Sequence, residues 1–226
     1  MTGIYNLCLV IVVVTGVTAV DYCNIESCKW KNSIHTMCQF TSSKPAQTCG
    51  NNPHIGLNDN EKWSIVNKHN ELRQKVASGQ ETRGNPGPQP SAKSMPNLSW
   101  DNQLAEIAQR WANQCKFEHD KCRDVAKYQV GQNIAISYAS GQNTSSLGDL
   151  IQLWYDEVSK FDKKEVYKYK FDPETGHYTQ VVWGKTTTIG CGRAKYNDPK
   201  SNFIAHLLVC NYGPSGNFQN KPVYET

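Results

Sequence analysis

Several absences narrow the chain before any motif does. The first nineteen residues contain no Asp, Glu, Lys or Arg. Beyond them no stretch approaches the eighteen apolar residues that a membrane-spanning helix needs, so no transmembrane segment is expected in the mature protein. No Cys-x-x-Cys occurs, which removes the usual zinc-thiolate spacing. Neither His-Glu-x-x-His nor Gly-x-Ser-x-Gly is present, so two common hydrolase signatures are excluded as well. A basic stripe is also missing: 24 Lys and Arg are interspersed with 20 Asp and Glu for a net charge of only +4, too mild to argue for nucleic acid. The densest run, from Lys160 to Lys170, sets five Lys against Asp162 and Glu165 and reads as a solvated surface segment.

What remains is a chain of 226 residues, 38% hydrophobic with six Trp, long and apolar enough to fold around a core. Its opening reads as a secretory leader over residues 1–19, with an apolar run from Leu7 to Val14 and small residues at Val17-Thr18-Ala19 for cleavage. Cleavage removes Cys8 and leaves eight of nine cysteines, an even number that implies four disulfides in an oxidising compartment. Eight cysteines allow 105 pairings. One pairing follows from the residues. Ile189 to Tyr196 and Phe203 to Cys210 have strand composition around the turn-rich Asn197-Asp198-Pro199-Lys200-Ser201-Asn202, and placing Cys191 opposite Cys210 closes that hairpin with a four-residue loop.

Residues 20–56 hold four of the eight cysteines and few apolar runs, so they read as a loop-rich extension stapled to a core domain that occupies 57–226. Asn58 and Glu61 have capping-box spacing ahead of Ile65, His69, Leu72 and Val76, and Gly79 ends that helix. Arg83 to Pro96 is too rich in Gly and Pro for either element. Asp101 caps a second helix whose Leu104, Ile107, Ala108, Trp111 and Cys115 share a face, and Leu147, Leu150, Ile151, Trp154 and Val158 mark a third. Tyr178 to Trp183 reads as a strand. Helices interleaved with hairpin-joined strands predict an α+β domain on a mainly antiparallel sheet.

Four ordered segments carry a resemblance. Gly176-His177-Tyr178-Thr179-Gln180-Val181-Val182-Trp183 and Cys210-Asn211-Tyr212-Gly213-Pro214-Ser215-Gly216-Asn217 resemble the two signatures of the CAP superfamily of cysteine-rich secretory, antigen 5 and pathogenesis-related proteins. His69-Asn70-Glu71-Leu72-Arg73 and Gly131-Gln132-Asn133-Ile134 resemble its other two motifs. The Cys-rich start, Asn85-Pro86-Gly87-Pro88-Gln89-Pro90 and Trp111-Ala112-Asn113-Gln114-Cys115 are similar to the antigen 5 venom allergens of stinging Hymenoptera, in particular the ant venom allergen 3 type. The resemblance covers essentially the whole mature chain. It implies a disulfide-rich three-layer α-β-α sandwich with pairs Cys23–Cys38, Cys28–Cys122, Cys49–Cys115 and Cys191–Cys210. It also implies a secreted, extracellular venom protein, with host antibodies as partners. Relatives that act on ion channels carry a further Cys-rich module, and no cysteine follows Cys210 here, so channel block is not expected.

The superfamily lines a cleft with two His and two acidic residues, which by motif fall on His119, Gln132, Glu157 and His177. Gln132 departs from the pattern, because an amide neither takes a proton nor adds negative charge to a metal site. His119 and His177 are the candidate zinc ligands, with Glu157 beside them; no cofactor is required by anything in the sequence. On residues alone each imidazole is more simply a hydrogen-bonded structural group, and His69 and His206 are read that way. The expected function is therefore non-enzymatic binding at a surface or cleft, of a lipid or other small hydrophobic ligand or of a host partner. Phe161, Tyr167, Tyr169 and Phe171 could form a lid, or simply anchor their connection to the domain. A zinc-assisted hydrolase with Glu157 as base is the alternative. Asn97-Leu98-Ser99 and Asn143-Thr144-Ser145 are glycosylation sequons, with Asn143 the more accessible and Asn97 hindered by Leu98 and Trp100.

Overall fold

The computed structural model describes residues 20–142 and 144–226; the leader expected at 1–19 and the sequon residue Asn143 lie outside them. In chain order the elements are α1 (Glu26–Trp30), α2 (Thr36–Gln39), β1 (His54–Ile55), α3 (Asp59–Ala77), β2 (Ser99–Trp100), α4 (Asn102–Ala112), β3 (Gly131–Ala139), α5 (Leu147–Asp156), α6 (Gly176–Val181), β4 (Thr188–Asn197) and β5 (Ile204–Gly213), with short 3-10 turns between several of them.

The longer helices start where side chains take up amides that have no intrahelical partner. Asn58 and Glu61 cap each other's backbone at the head of α3, Asp101 accepts from Leu104 N at α4, and Ser146 pairs with Asp149 at α5. Gly79, at φ +73°, follows the end of α3 in the left-handed conformation that glycine adopts without strain. Two ends differ from the periodic reading. Cys115 lies beyond α4 at φ +50°, and α5 tightens after Asp156 into the 3-10 turn Glu157–Lys160, which contains Val158.

The sheet runs β1-β4-β5-β3, with β2 adding a short parallel pairing on β4. Cys191 sits opposite Cys210, and Asp198 N donates to Phe203 O at 2.8 Å, the register and loop that the hairpin reading requires. Alternation then sorts the sheet. Ile189, Cys191, Leu208, Cys210 and Tyr212 pack with α3, α5 and α6, whereas Ile134, Ala194, Leu207 and Val209 pack with α4. Gly190 and Gly192 let α4 lie against β4, since a Cβ at either would meet the backbone of Ala105 or Gln109. The result is an α-β-α sandwich.

Two elements depart from the sequence reading. Tyr178 to Trp183 is not a strand: Gly176–Val181 is α6. The Glu157 carboxylate accepts from His177 N and Tyr178 N at its start, and the buried Arg73 guanidinium donates to Val181 O and Trp183 O at its end. Those distant groups satisfy the helix ends and override the strand preference of Val, Thr and Tyr. The second departure is β3, which pairs along its length with β5 although no strand was read there.

The extension is held by Cys28–Cys122 and Cys49–Cys115, while Cys23–Cys38 closes a loop within it and Cys191–Cys210 crosses the hairpin. Few residues of the extension are buried, among them Ile25, Cys28, His35, Thr36 and Cys49. Restricting the unfolded chain favours the bridge with the longer loop. With separations of 94 and 15 residues, replacing Cys28 and Cys122 by Ser should cost about 1.5 kcal/mol more than replacing Cys23 and Cys38. Chemical denaturation of the two double variants checks this; equal costs would refute it.

Candidate functional site

The four motif segments meet through buried polar side chains. His69 on α3 has no exposed surface; its Nδ1–H donates to Ile65 O at 2.8 Å and its Nε2 accepts from the Tyr212 hydroxyl at 2.9 Å. That hydroxyl accepts from Asn133 Nδ2 at 3.4 Å, and the same amide donates to His177 O at 3.0 Å. Burial lowers the His69 pKa to about 4, with the Arg73 charge acting in the same direction against the Ile65 hydrogen bond. His69 is therefore a neutral packing group, and the chain His69–Tyr212–Asn133–His177 joins α3, β5, β3 and α6.

Glu157 follows α5 and is mostly enclosed. One carboxylate oxygen accepts from His177 N at 2.8 Å and Tyr178 N at 3.0 Å, and the other lies 2.6 Å from His177 Nδ1. The ring thus carries hydrogen on Nδ1, and in the neutral imidazole the lone pair is then on Nε2. Trp154 stacks on its flank, with ring centroids 6.3 Å apart.

His119 is held in the same sense by a different group. Gln132 Nε2 donates to Asp120 Oδ1 at 3.0 Å and to Asn211 Oδ1 at 3.1 Å, so Gln132 Oε1 is the atom that faces His119 Nδ1 at 2.7 Å. Hydrogen again sits on Nδ1 and the lone pair on Nε2. Behind the amide, buried Asp120 also accepts from Arg123 Nε and Thr36 Oγ1. The His119 residue is exposed, but its Nδ1 side is engaged by Gln132. Partial burial of the ring lowers the His119 pKa, Gln132 opposes that, and the charges of Arg123 and His177 lower it further.

Adjacent β3 residues thus anchor the two imidazoles, Gln132 through the His119 ring and Asn133 through the His177 carbonyl. All four residues carried over by motif lie in these two pairs, and His177 is near enough to act on His119. Among the described residues, no group of three or more His, Cys, Asp or Glu is disposed to hold a metal ion. Asp120 escaped the sequence reading, its only signal being adjacency to His119; Asn133, Tyr212 and Asn211 lay inside quoted motifs without a role.

The aromatic connection divides: Phe161 and Tyr169 are core residues, while Tyr167 and Phe171 are exposed. His206 donates from Nδ1 to Ser145 O at 2.9 Å. Asn97, expected to be hindered, is exposed, because the extended chain turns Leu98 inward and the asparagine outward. Its Oδ1 accepts from Gln74 Nε2 at 2.9 Å.

Gln132→Glu tests the amide. A carboxylate there faces Asp120 and Asn211 oxygens without a hydrogen to donate and adds negative charge beside His119. The variant should lose about 1–3 kcal/mol of stability at neutral pH. Its His119 pKa, followed by imidazole proton NMR, should rise; an unchanged or lower value would contradict the assignment.

The model of the CAP family, described as the cysteine-rich secretory protein family, matches residues 66–212. Venom allergen 3 of Solenopsis invicta is 56% identical over 211 residues, covering 92% of this chain and 90% of that protein. Venom allergen 5.02 of Dolichovespula maculata is 51% identical over 209 residues, covering 91% and 94%. A crystal structure of NaASP2 with Zn2+ superposes with a TM-score of 0.61 at 30% identity, over 79% of this chain and 90% of that one. With the shared sandwich, these matches place the chain in the CAP family, among proteins similar to the venom allergens 3 and 5 of ants and wasps.

Proposed function

We propose that this is a secreted venom protein that acts by binding rather than catalysis. Its ligand is a small hydrophobic molecule or a host partner, and host antibodies recognise it as an allergen. One observation carries the reading: the polar groups that chemistry would recruit are committed to the scaffold. Both ring nitrogens of His69 are used, both Glu157 oxygens hold α6 and His177, and Gln132 is engaged at both ends. Glu157 therefore has little freedom to serve as a base. Meanwhile the rigid surface presents Trp30, Trp63, Phe117 and Tyr167, each at least 60% exposed, as apolar anchors for a partner. Four disulfides suit export to an oxidising compartment, where venom allergens act.

The two Nε2 atoms, left over once each Nδ1 is engaged, favour a second reading, in which His119 and His177 hold zinc between them. Two imidazoles fall short of the three protein ligands usual for catalytic zinc, so this donor set fits a weakly held ion completed by water. When bound, such an ion would polarise that water.

Extraction of the native protein with organic solvent, read by mass spectrometry, should release an apolar ligand in stoichiometric amount; a clean extract would count against that occupant. Zinc titration should give a heat lost in both His119→Ala and His177→Ala, and an undiminished heat in either variant would place the metal elsewhere.

A further inference from the structure

At the opposite end of the same sheet face, nitrogen-bearing side chains from three neighbouring strands lie in a row. His54 on β1 lies opposite Lys195 on β4, and Lys195 lies opposite His206 on β5. Directly opposed residues share a face, and Arg193, two positions along β4, shares it too. The carboxylate that faces them is Glu61, whose Oε1 accepts from Arg193 at 2.7 Å while its Oε2 accepts from Asn58 N at 2.8 Å.

These side chains line an open groove of about 610 Å³ into which α3 and α5 direct their N-termini; Asn58, Ser146, Leu147 and Gly148 are on its wall. Both helices exceed eight residues; their first turns carry Asp59 and Glu61 on α3 and Asp149 on α5, of which Glu61 and Asp149 are committed to the capping boxes, while Leu147 and Gly148 of α5 line the groove beside Arg193 and Lys195.

Two buried atoms are left over. The Arg193 side chain is 8% exposed and His206 is 4% exposed, and among the described residues Arg193 Nε and His206 Nε2 have no hydrogen-bond partner. Leaving such groups unsatisfied is costly. They are also of opposite kind. Arg193 Nε–H is a donor, whereas His206, which gives its Nδ1–H to Ser145 O, presents Nε2 as an acceptor. Burial, reinforced by the Arg193 and Lys195 charges and opposed by the Ser145 hydrogen bond, lowers the His206 pKa and keeps that acceptor neutral.

We propose that this groove is a phosphate-class oxyanion site: Arg193 Nε–H and the first-turn amides of α3 and α5 donate to the anion, and His206 Nε2 accepts from an oxygen that keeps its hydrogen. Sulfate has no such hydrogen at neutral pH, so the site discriminates between two ions of similar shape and size.

The test is a titration of the folded, oxidised protein with inorganic phosphate or sodium sulfate at matched ionic strength, read by nuclear magnetic resonance. Phosphate should move the Leu147, Gly148 and Arg193 Nε–H resonances saturably, and sulfate should bind at least tenfold more weakly. Gly148→Asp puts a carboxylate where the anion would sit. A Cβ at Gly148 meets only Ser146 Oγ at 3.6 Å, and an acid in the first turn suits the helix, so the variant should fold and lose phosphate binding at least tenfold. A comparison with glycerol phosphate separates the sources, since binding as tight as that of phosphate identifies a phosphomonoester, and weaker binding the free ion. No saturable shift, or an undiminished one in Gly148→Asp, would overturn the site; sulfate binding as tight as phosphate would overturn the role given to His206.

Discussion

The Glu157 carboxylate is the constraint on which the candidate site depends. It receives two backbone amides at the start of α6 and the Nδ1–H of His177, so it shapes a helix, places an imidazole and fixes which nitrogen faces out. Its own position is secured by the two residues just before it. Tyr155 donates to the buried Glu81 at 2.7 Å, and Arg83 bridges Glu81 to Asp156. Burial would raise the Glu81 carboxyl, but the Arg83, Tyr155 and Lys75 hydrogen bonds prevail and bring it down to about 2. The loop carrying Glu81 and Arg83 is thereby bound to the end of α5 that delivers Glu157.

At His119 the same outcome is reached with a neutral group. An amide at position 132 accepts from His119 while donating to Asp120 and Asn211, a combination that a carboxylate cannot provide. The negative charge sits behind it on Asp120, where Arg123 balances it. The glutamine is therefore fitted to its surroundings, and both histidines present bare Nε2 atoms from rings held by hydrogen bonds.

Much of the fold was legible because its signals are local. The capping residues Asn58 and Asp101, the Leu147-to-Trp154 periodicity and the turn between β4 and β5 act within a few residues, so one sequence suffices to read them. α6 was misread because its ends are satisfied by Glu157 and Arg73, whose proximity only the folded chain creates. β3 was missed because Gly131, Gln132 and Asn133 lack β-branched composition, and a strand covered on both faces shows no clean alternation. Of the site, His119, Glu157 and His177 carry no mutual spacing and were visible only through resemblance to a family. Asp120 and the phosphate groove were invisible, since the one depends on a buried amide and the other on register across three strands.

The most direct measurement is the tautomeric state of the two cleft histidines, obtained from long-range nitrogen–proton correlations of the neutral rings in uniformly labelled protein. The account predicts that His119 and His177 both carry hydrogen on Nδ1, with unprotonated Nε2. A ring with hydrogen on Nε2 and none on Nδ1, at either position, would contradict it.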